Sequence, residues 1–183
     1  KNGVWVDQEL RGKLETEYQL SVRSRFKKLR NLIKQVGGKD IDESAVSADD
    51  NVNPGSAAQI RDLLYSKWKL SIPPQMEARD FYTESGLPGT GDAVLRGHLA
   101  SGRLDEAQTA FIRELRLYRR EKNKILGTTL IPLNRRDVDL KRGVVHEDGR
   151  VRSTWNAHVT SVGRLSSSGP NLQNQGSRKG QGR

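Results

Sequence analysis

The chain has 183 residues, with 32 Lys and Arg against 22 Asp and Glu, a formal net charge of +10 and a mean hydropathy of −0.76. No run approaches the ~18 apolar residues of a membrane helix, so the sequence excludes a membrane-spanning helix and we expect no membrane partner. The absence of Cys and the presence of only 3 His exclude disulfides and thiolate metal sites and predict a cytoplasmic protein.

The first part of the chain predicts two helices joined by an acidic loop. Asp7 is a helix-capping residue type, and apolar residues recur at spacings of three and four until Gly37-Gly38, which predicts a helix over 7–36 that is ~45 Å long. The acidic stretch 39–53 predicts a loop. The turn and cap at Asn53-Pro54-Gly55-Ser56 then predict a shorter helix that ends at Pro73-Pro74.

The next part predicts a loop over 75–91 and a short helix over 92–99. Asp105 can cap a second long helix, whose exposed side is basic. From Gly143 the pattern changes, and Asp148-Gly149 predicts a two-residue turn between two short antiparallel strands. The remainder, after Trp155, is rich in Ser, Gly, Asn and Gln.

One motif in this polar C-terminal stretch is specific. Composition alone is compatible with a solvated loop, although one Arg among hydroxyls and carboxamides also suits minor-groove and phosphate contacts. The order of the residues decides the interpretation: Gly163-Arg164-Leu165-Ser166-Ser167, followed by Pro170-Asn171-Leu172-Gln173-Asn174, resembles the thumb-to-palm junction motif of family A DNA polymerases.

The resemblance extends upstream in the same order. It includes the entry into the first thumb helix at 2–7, the start of the next helix at Asn53-Pro54-Gly55-Ser56, Lys122-Asn123-Lys124, and Gly149-Arg150-Val151 before the motif. Two segments depart from the family pattern: Gln175-Gly176 stands where the family continues Ile-Pro, and Ile125-Leu126-Gly127 follows Lys124.

The resemblance implies an α+β fold. Residues 1–142 would form a mainly helical thumb with long antiparallel helices, and 143–183 an incomplete start of the palm containing a β-hairpin. It also implies that the chain binds primer-template DNA as part of a larger enzyme. That enzyme would be a monomer and would use deoxynucleoside triphosphates and Mg²⁺. The family's metal-binding carboxylates and nucleotide-binding helix are expected beyond position 183, so no catalytic or metal residue is expected in this chain.

The same resemblance and the basic helix together predict the DNA-binding residues. Arg164 is expected at the minor-groove edge of the primer terminus, the carboxamides near the newest base pairs, the hydroxyls at the backbone, and the basic residues at duplex phosphates. The predicted set is Arg164, Asn171, Gln173, Asn174, Ser166, Thr160, Lys124, Lys122, Arg120, Arg119 and Arg116.

Three other motifs carry no function in this interpretation. His146-Glu147-Asp148 is a hairpin turn, Asp137-Val138-Asp139 is flanked by basic residues and predicts a salt-bridged surface, and Pro88-Gly89-Thr90-Gly91 lacks the Lys-Ser/Thr of a phosphate loop. The alternative function is a stand-alone, non-enzymatic basic module that binds nucleic acid. Because the chain begins at Lys1 without a Met and ends in a polar tail, we expect it to be a piece of a longer polypeptide.

Overall fold

The computed structural model describes residues 3–135, 143–156, 166–168 and 170. Long helices and two small antiparallel strand pairs confirm the predicted α+β class. The chain forms two compact units, one of Leu20–Lys122 and one of Lys1–Gln19 with Asn123–Arg183. The elements are β1 (Val4–Trp5), α1 (Gln8–Gln35), α2 (Ala57–Arg61), α3 (Ala78–Phe81), α4 (Asp92–Ala100), α5 (Glu106–Arg119), β2 (Arg150–Val151), β3 (Thr154–Asn156) and β4 (Ser166–Ser168), with π-helical segments at Asp62–Lys67 and Arg120–Leu130.

The predicted first helix is confirmed as α1. The backbone N–H of Leu10 donates to the Asp7 carboxylate over 2.9 Å, which is the N-cap bond that the sequence predicts. Gly37 has a φ of +66°, so the chain leaves the helix through the left-handed conformation that Gly adopts at low cost.

The unit Leu20–Lys122 has a single apolar core. Side chains from α1, α2 with its π-helical continuation, α4 and α5 meet there, and Ile41 and Val52, from the two ends of the predicted loop 39–53, join them through a β-bridge. The buried members are Leu29, Ile33, Ile41, Val52, Ile60, Leu63, Leu64, Leu95, Phe111, Ile112, Leu115 and Tyr118.

The second helix begins as predicted but ends early. Ser56 caps this helix, because its hydroxyl accepts from the N–H of Gln59. After Arg61 the helix widens into the π-helical segment. At the end of that segment, the N–H of Trp68 donates to the Leu63 carbonyl over 3.0 Å. Lys69 then takes a φ of +54°. The predicted end at Pro73-Pro74 is therefore wrong, because the left-handed backbone at Lys69 has already stopped the helix.

The region after this helix is more regular than predicted. The loop 75–91 contains the four-residue α3, whose Phe81 is buried and packs edge-on against Tyr65 with ring centroids 5.4 Å apart. Helix α4 follows at the predicted position. Asp105 caps α5 in a reciprocal capping box with Gln108, and the helix continues beyond Arg119 in π-helical form.

The strand pairs lie in the unit that contains both chain ends. β1 pairs antiparallel with β2, and β3 pairs with β4. The predicted two-residue turn at Asp148-Gly149 is wrong: His146 N–H donates to the Arg150 carbonyl over 2.9 Å, so three residues form the loop. Gly149 has a φ of +76°, as in a three-residue hairpin with a glycine bulge.

Candidate nucleic-acid interface

The outer side of α5 and of its π-helical continuation presents cations that are unpaired among the described residues. Arg113 and Arg120 are exposed and lie about two turns apart, so they share a face of the helix. Neither side chain has an ion pair or hydrogen bond to another residue in the described part of the chain, and Leu117 between them is also exposed. This face can therefore offer two guanidinium groups to an anion without breaking an internal contact.

Two carboxylates of the same helical stretch, Glu114 and Glu121, are neutralised on the side that packs against α1. Arg25 of α1 contacts Glu114 and Glu121, each over 2.8 Å, and Ser21 donates to Glu121 over 2.7 Å. The close contact with the Glu121 carboxylate is the largest cause of a raised pKa for Arg25. Because these acids are turned inward and paired, they do not offset the positive charge of Arg113 and Arg120.

Arg116 and Arg119 were both predicted to bind DNA, and the structure places them differently from Arg120. Arg116 Nε pairs with Asp92 at the start of α4 over 2.7 Å. Arg119 donates to the carbonyls of Pro54 over 2.8 Å and Thr90 over 2.7 Å. Burial lowers the pKa of Arg119, and its Nη2 is buried without a hydrogen-bond acceptor among the described residues. Arg119 therefore fixes two loops from within the unit.

Lys122 is engaged by a carboxylate from the loop 39–53. Its Nζ lies 2.6 Å from Glu43 Oε2 and 2.9 Å from the hydroxyl of Tyr118, which itself donates to Glu43 Oε1. Partial burial opposes ionisation of Glu43, but the hydrogen bonds from Lys122 and Tyr118 outweigh it and lower the pKa of Glu43.

Lys124 belongs to the other unit and is exposed. Its backbone carbonyl accepts from the hydroxyls of Thr128 over 2.6 Å and Thr129 over 3.1 Å. Its ammonium group has no partner within the described ranges. Lys124 is thus available to an external anion, as Arg120 is.

Only one residue of the predicted junction site is described. Ser166 starts β4 opposite Asn156, and its hydroxyl donates to the Asn156 carbonyl over 3.4 Å. Ser153 donates to the carbonyls of Ser168 and Pro170, over 3.0 Å and 2.7 Å. The sequence pattern did not predict β4, which ties the middle of the motif to β3. The other predicted junction residues lie outside the described residues: Thr160, Arg164, Asn171, Gln173 and Asn174.

Two of the three motifs to which the sequence assigns no function lie within the described residues. Asp148 accepts two hydrogen bonds from Arg152, which lowers the pKa of Asp148 to about 2. In the segment Pro88–Gly91, the carbonyls of Pro88, Gly89 and Thr90 accept from Arg61, Tyr65 and Arg119. This segment therefore presents acceptors to its neighbours, whereas a phosphate loop presents N–H donors. Asp137 and Asp139 lie outside the described residues.

The described residues do not fit a Mg²⁺ site, because no three Asp, Glu or His side chains converge in those parts of the chain. Among the helices described, none combines the length and apolar character needed to cross a bilayer.

Comparison with known proteins adds an independent line of evidence. The chain is 38% identical over 111 residues to the thermostable DNA polymerase I of Thermus filiformis, an alignment that covers 58% of this chain and 12% of that polymerase. The POL domain of Pol1 from M. smegmatis, solved in complex with DNA primer-template and dNTP, has a similar fold, with a TM-score of 0.66 and 23% identity over 96% of this chain and 24% of that one. The sequence pattern of DNA polymerase family A matches residues 23–183. Since that match covers most of the sequence, the chain belongs to DNA polymerase family A.

Proposed function

We propose that this chain is the part of a DNA polymerase that grips the primer-template duplex, with 1–142 as the helical thumb and 143–183 as the start of the palm. The observation that carries the proposal is the family match over residues 23–183, which includes the Gly-Arg-Leu-Ser-Ser motif at 163–167. The chain spans about an eighth of the curated polymerase that it matches, so the activity of the whole enzyme is part of the proposal.

The charge distribution supports duplex binding. Arg113 on α5, Arg120 at the start of its π-helical continuation, and separately Lys124, are cations without an internal partner among the described residues. Each phosphate neutralised by such a group releases condensed counterions, which favours binding at low salt. We assign Arg120 and Lys124 to phosphate contact. Arg116 and Lys122 would have to exchange a carboxylate for a phosphate, and we assign Arg119 to positioning the loops at Pro54 and Thr90.

The junction residues have roles that rest on the family motif. Arg164 is proposed to contact the minor-groove edge of the primer-terminal pair. Asn171, Gln173 and Asn174 would approach the template or primer near the newest pairs, and Thr160 and Ser166 the sugar-phosphate backbone. Phosphate contacts of this kind set register, whereas contacts to groove edges test the base pair.

The parent reaction is proposed to be template-directed nucleotidyl transfer from deoxynucleoside triphosphates, by a monomeric enzyme in a bacterial or phage-infected cytoplasm. Mg²⁺ would supply charge stabilisation in that reaction, and its ligands are proposed to lie in other segments of the polymerase. This chain by itself is expected to show no nucleotide incorporation.

The test is a salt titration of duplex binding by the 183-residue chain. The logarithm of the binding constant is expected to fall linearly with the logarithm of salt concentration, by ~0.9 for each phosphate contact. Arg120→Gln and Lys124→Gln should each make the slope shallower by about that amount. The control Lys67→Gln removes an exposed charge that is not assigned to phosphate contact, so it should leave the slope unchanged. Equal slopes for all variants would mean that Arg120 and Lys124 do not contact duplex phosphates. Nucleotide incorporation by a nuclease-free preparation of this chain would contradict the expected lack of activity.

A further inference from the structure

The segment 39–53, here called the acidic loop, carries a negative charge, whereas the chain as a whole is positively charged. It contains five carboxylates in a protein with a net charge of +10: Asp40, Asp42, Glu43, Asp49 and Asp50. Asp40 forms a two-pronged contact with Arg30 of α1, at 3.0 Å and 2.6 Å. Glu43 instead contacts Lys122, which is 79 positions away. One carboxylate of the loop is therefore paired with Lys122, which belongs to the stretch proposed to bind the duplex.

Hydrogen bonds hold the acidic loop in a defined position, so the contact between Glu43 and Lys122 belongs to an ordered part of the structure. Gln59, which is buried, donates to the Ser47 carbonyl over 2.6 Å. Asn53 donates through its side chain to the carbonyl of Glu43 over 2.7 Å. These bonds fix the backbone of Glu43 directly and that of the loop around it.

The Glu43 contact leaves Lys122 with little capacity for another anion. An ammonium group has three donors, and on Lys122 two are directed to Glu43 at 2.6 Å and to the Tyr118 hydroxyl at 2.9 Å. The same Nζ lies 5.4 Å from the centre of the Tyr118 ring. Lys122 is thus held by Glu43 and Tyr118 together, whereas Arg120 has no such partner in the described residues.

We propose that Glu43 is an affinity-limiting residue for duplex DNA, because it competes with a DNA phosphate for Lys122. The inference rests on the proposed function and adds a regulatory element to the same surface. A phosphate that reaches Lys122 must displace a carboxylate already paired with it, so the gain from the new contact is offset by the loss of the old one. Lys122 therefore contributes less to affinity and to salt dependence than its charge alone would give.

The experiment is a salt titration of duplex binding by the 183-residue chain carrying Glu43→Gln. Glutamine keeps the carbonyl that can accept from Tyr118 but removes the charge that holds Lys122. The variant should bind duplex more tightly at low salt, with a slope steeper by ~0.9, so that about 3.5-fold more affinity is lost between 50 and 200 mM salt than in the wild type. Adding Lys122→Gln to this variant should abolish the gain.

Asp49→Asn is the matched control. It removes the same charge from the same loop, and Asp49 is exposed and does not contact Lys122. A second readout is the acylation rate of the Lys122 amine, measured by mass spectrometry without DNA, which should rise in Glu43→Gln and stay unchanged in Asp49→Asn. A circular dichroism melt checks that each variant is folded.

The outcomes separate the two proposals. Equal gains in Glu43→Gln and Asp49→Asn would mean general repulsion by the loop and would overturn the role of Glu43. Weaker binding by Glu43→Gln would also overturn it, because the pair would then position Lys122 for DNA. If the wild type shows no salt-dependent duplex binding, the proposed function itself fails, and the affinity-limiting role fails with it, even where the acylation rates behave as expected.

Discussion

His98 Nε2 lies 3.2 Å from the hydroxyl oxygen of Tyr65. Tyr65 donates its own proton to the Gly89 carbonyl over 2.7 Å, so its oxygen accepts from His98, which requires a proton on Nε2. His98 is 2% exposed and packs beside the rings of Tyr65 and Phe81. The two polar side chains thus satisfy each other inside the core between α4 and the second helix.

This relationship predicts acid sensitivity. Burial lowers the pKa of His98, so near and just below the ordinary His pKa of ~6.5 the unfolded chain binds more protons than the folded chain. The stability that the neutral imidazole contributes is complete above that pH and is lost as pH falls through it toward the lower folded-state pKa. Thermal melting from pH 7.5 to 5.0 should therefore show a falling Tm.

Two substitutions test whether His98 causes that fall. His98→Gln, which cannot titrate, should flatten the dependence of Tm on pH, whatever its effect on Tm at pH 7.5. His146→Gln changes the histidine that precedes the hairpin loop and should leave the dependence as in the wild type. An unchanged slope in His98→Gln would assign the acid sensitivity to other groups.

The Arg25 cluster predicts a large stability effect. Arg25→Met would leave the mostly buried carboxylates of Glu114 and Glu121 without their cation. Removing one partner of a buried ion pair costs about 3 kcal/mol, and urea unfolding should show a loss of that size. Arg23→Met alters an exposed arginine of the same helix and should change stability by less than about 0.5 kcal/mol.

A triple variant checks that the unpaired charges cause this loss. Adding Glu114→Gln and Glu121→Gln to Arg25→Met removes both carboxylate charges and should recover part of the lost free energy of unfolding. If the triple variant is less stable than Arg25→Met, the carboxylates stabilise the fold through contacts other than Arg25.

Neighbouring arginines in α5 and its continuation should separate stability from binding. Arg119→Met leaves the carbonyls of Pro54 and Thr90 without their donor and should cost about 2 kcal/mol in unfolding free energy. Arg120→Met should leave stability within about 0.5 kcal/mol but weaken duplex binding. The measurements are urea unfolding and fluorescence anisotropy on labelled duplex. If Arg119→Met keeps its stability and loses DNA binding, Arg119 contacts DNA and its positioning role is wrong.

The ends of the long helices could be predicted because their signals are local. Asp7, Gly37 and Asp105 act on backbone groups within one turn, and the printed sequence shows them directly. The end of the second helix could not be predicted, because the π-helical widening before Lys69 depends on how Leu63 and Leu64 pack into the core. Tertiary packing there outweighs the Pro signal.

Parts of the candidate site depend on partners distant in sequence. The pairing of β1 with β2 joins Val4 to Val151, and no local pattern reports it. The contact of Lys122 with Glu43 is likewise long-range. The burial of Arg119 did have a local signal: it lies four residues after the buried Leu115, on the side of α5 that faces the core.

Arg164 lies outside the described residues, and its proposed role rests on the family motif. In the minor groove, every correct base pair offers acceptors in nearly equivalent places, so a guanidinium can test pair geometry without testing sequence. Arg164→Ala in the whole polymerase should cut incorporation by about 10²-fold, taking a charge-assisted hydrogen bond as ~1.5–3 kcal/mol. Arg164→Lys should recover only part of this, since an ammonium lacks the planar fork of donors. Single-turnover rates should fall similarly for all four template bases, and the wild-type advantage should vanish with a primer whose terminal base lacks its minor-groove acceptor. If that primer slows wild type and Arg164→Ala by equal factors, another residue contacts the primer edge.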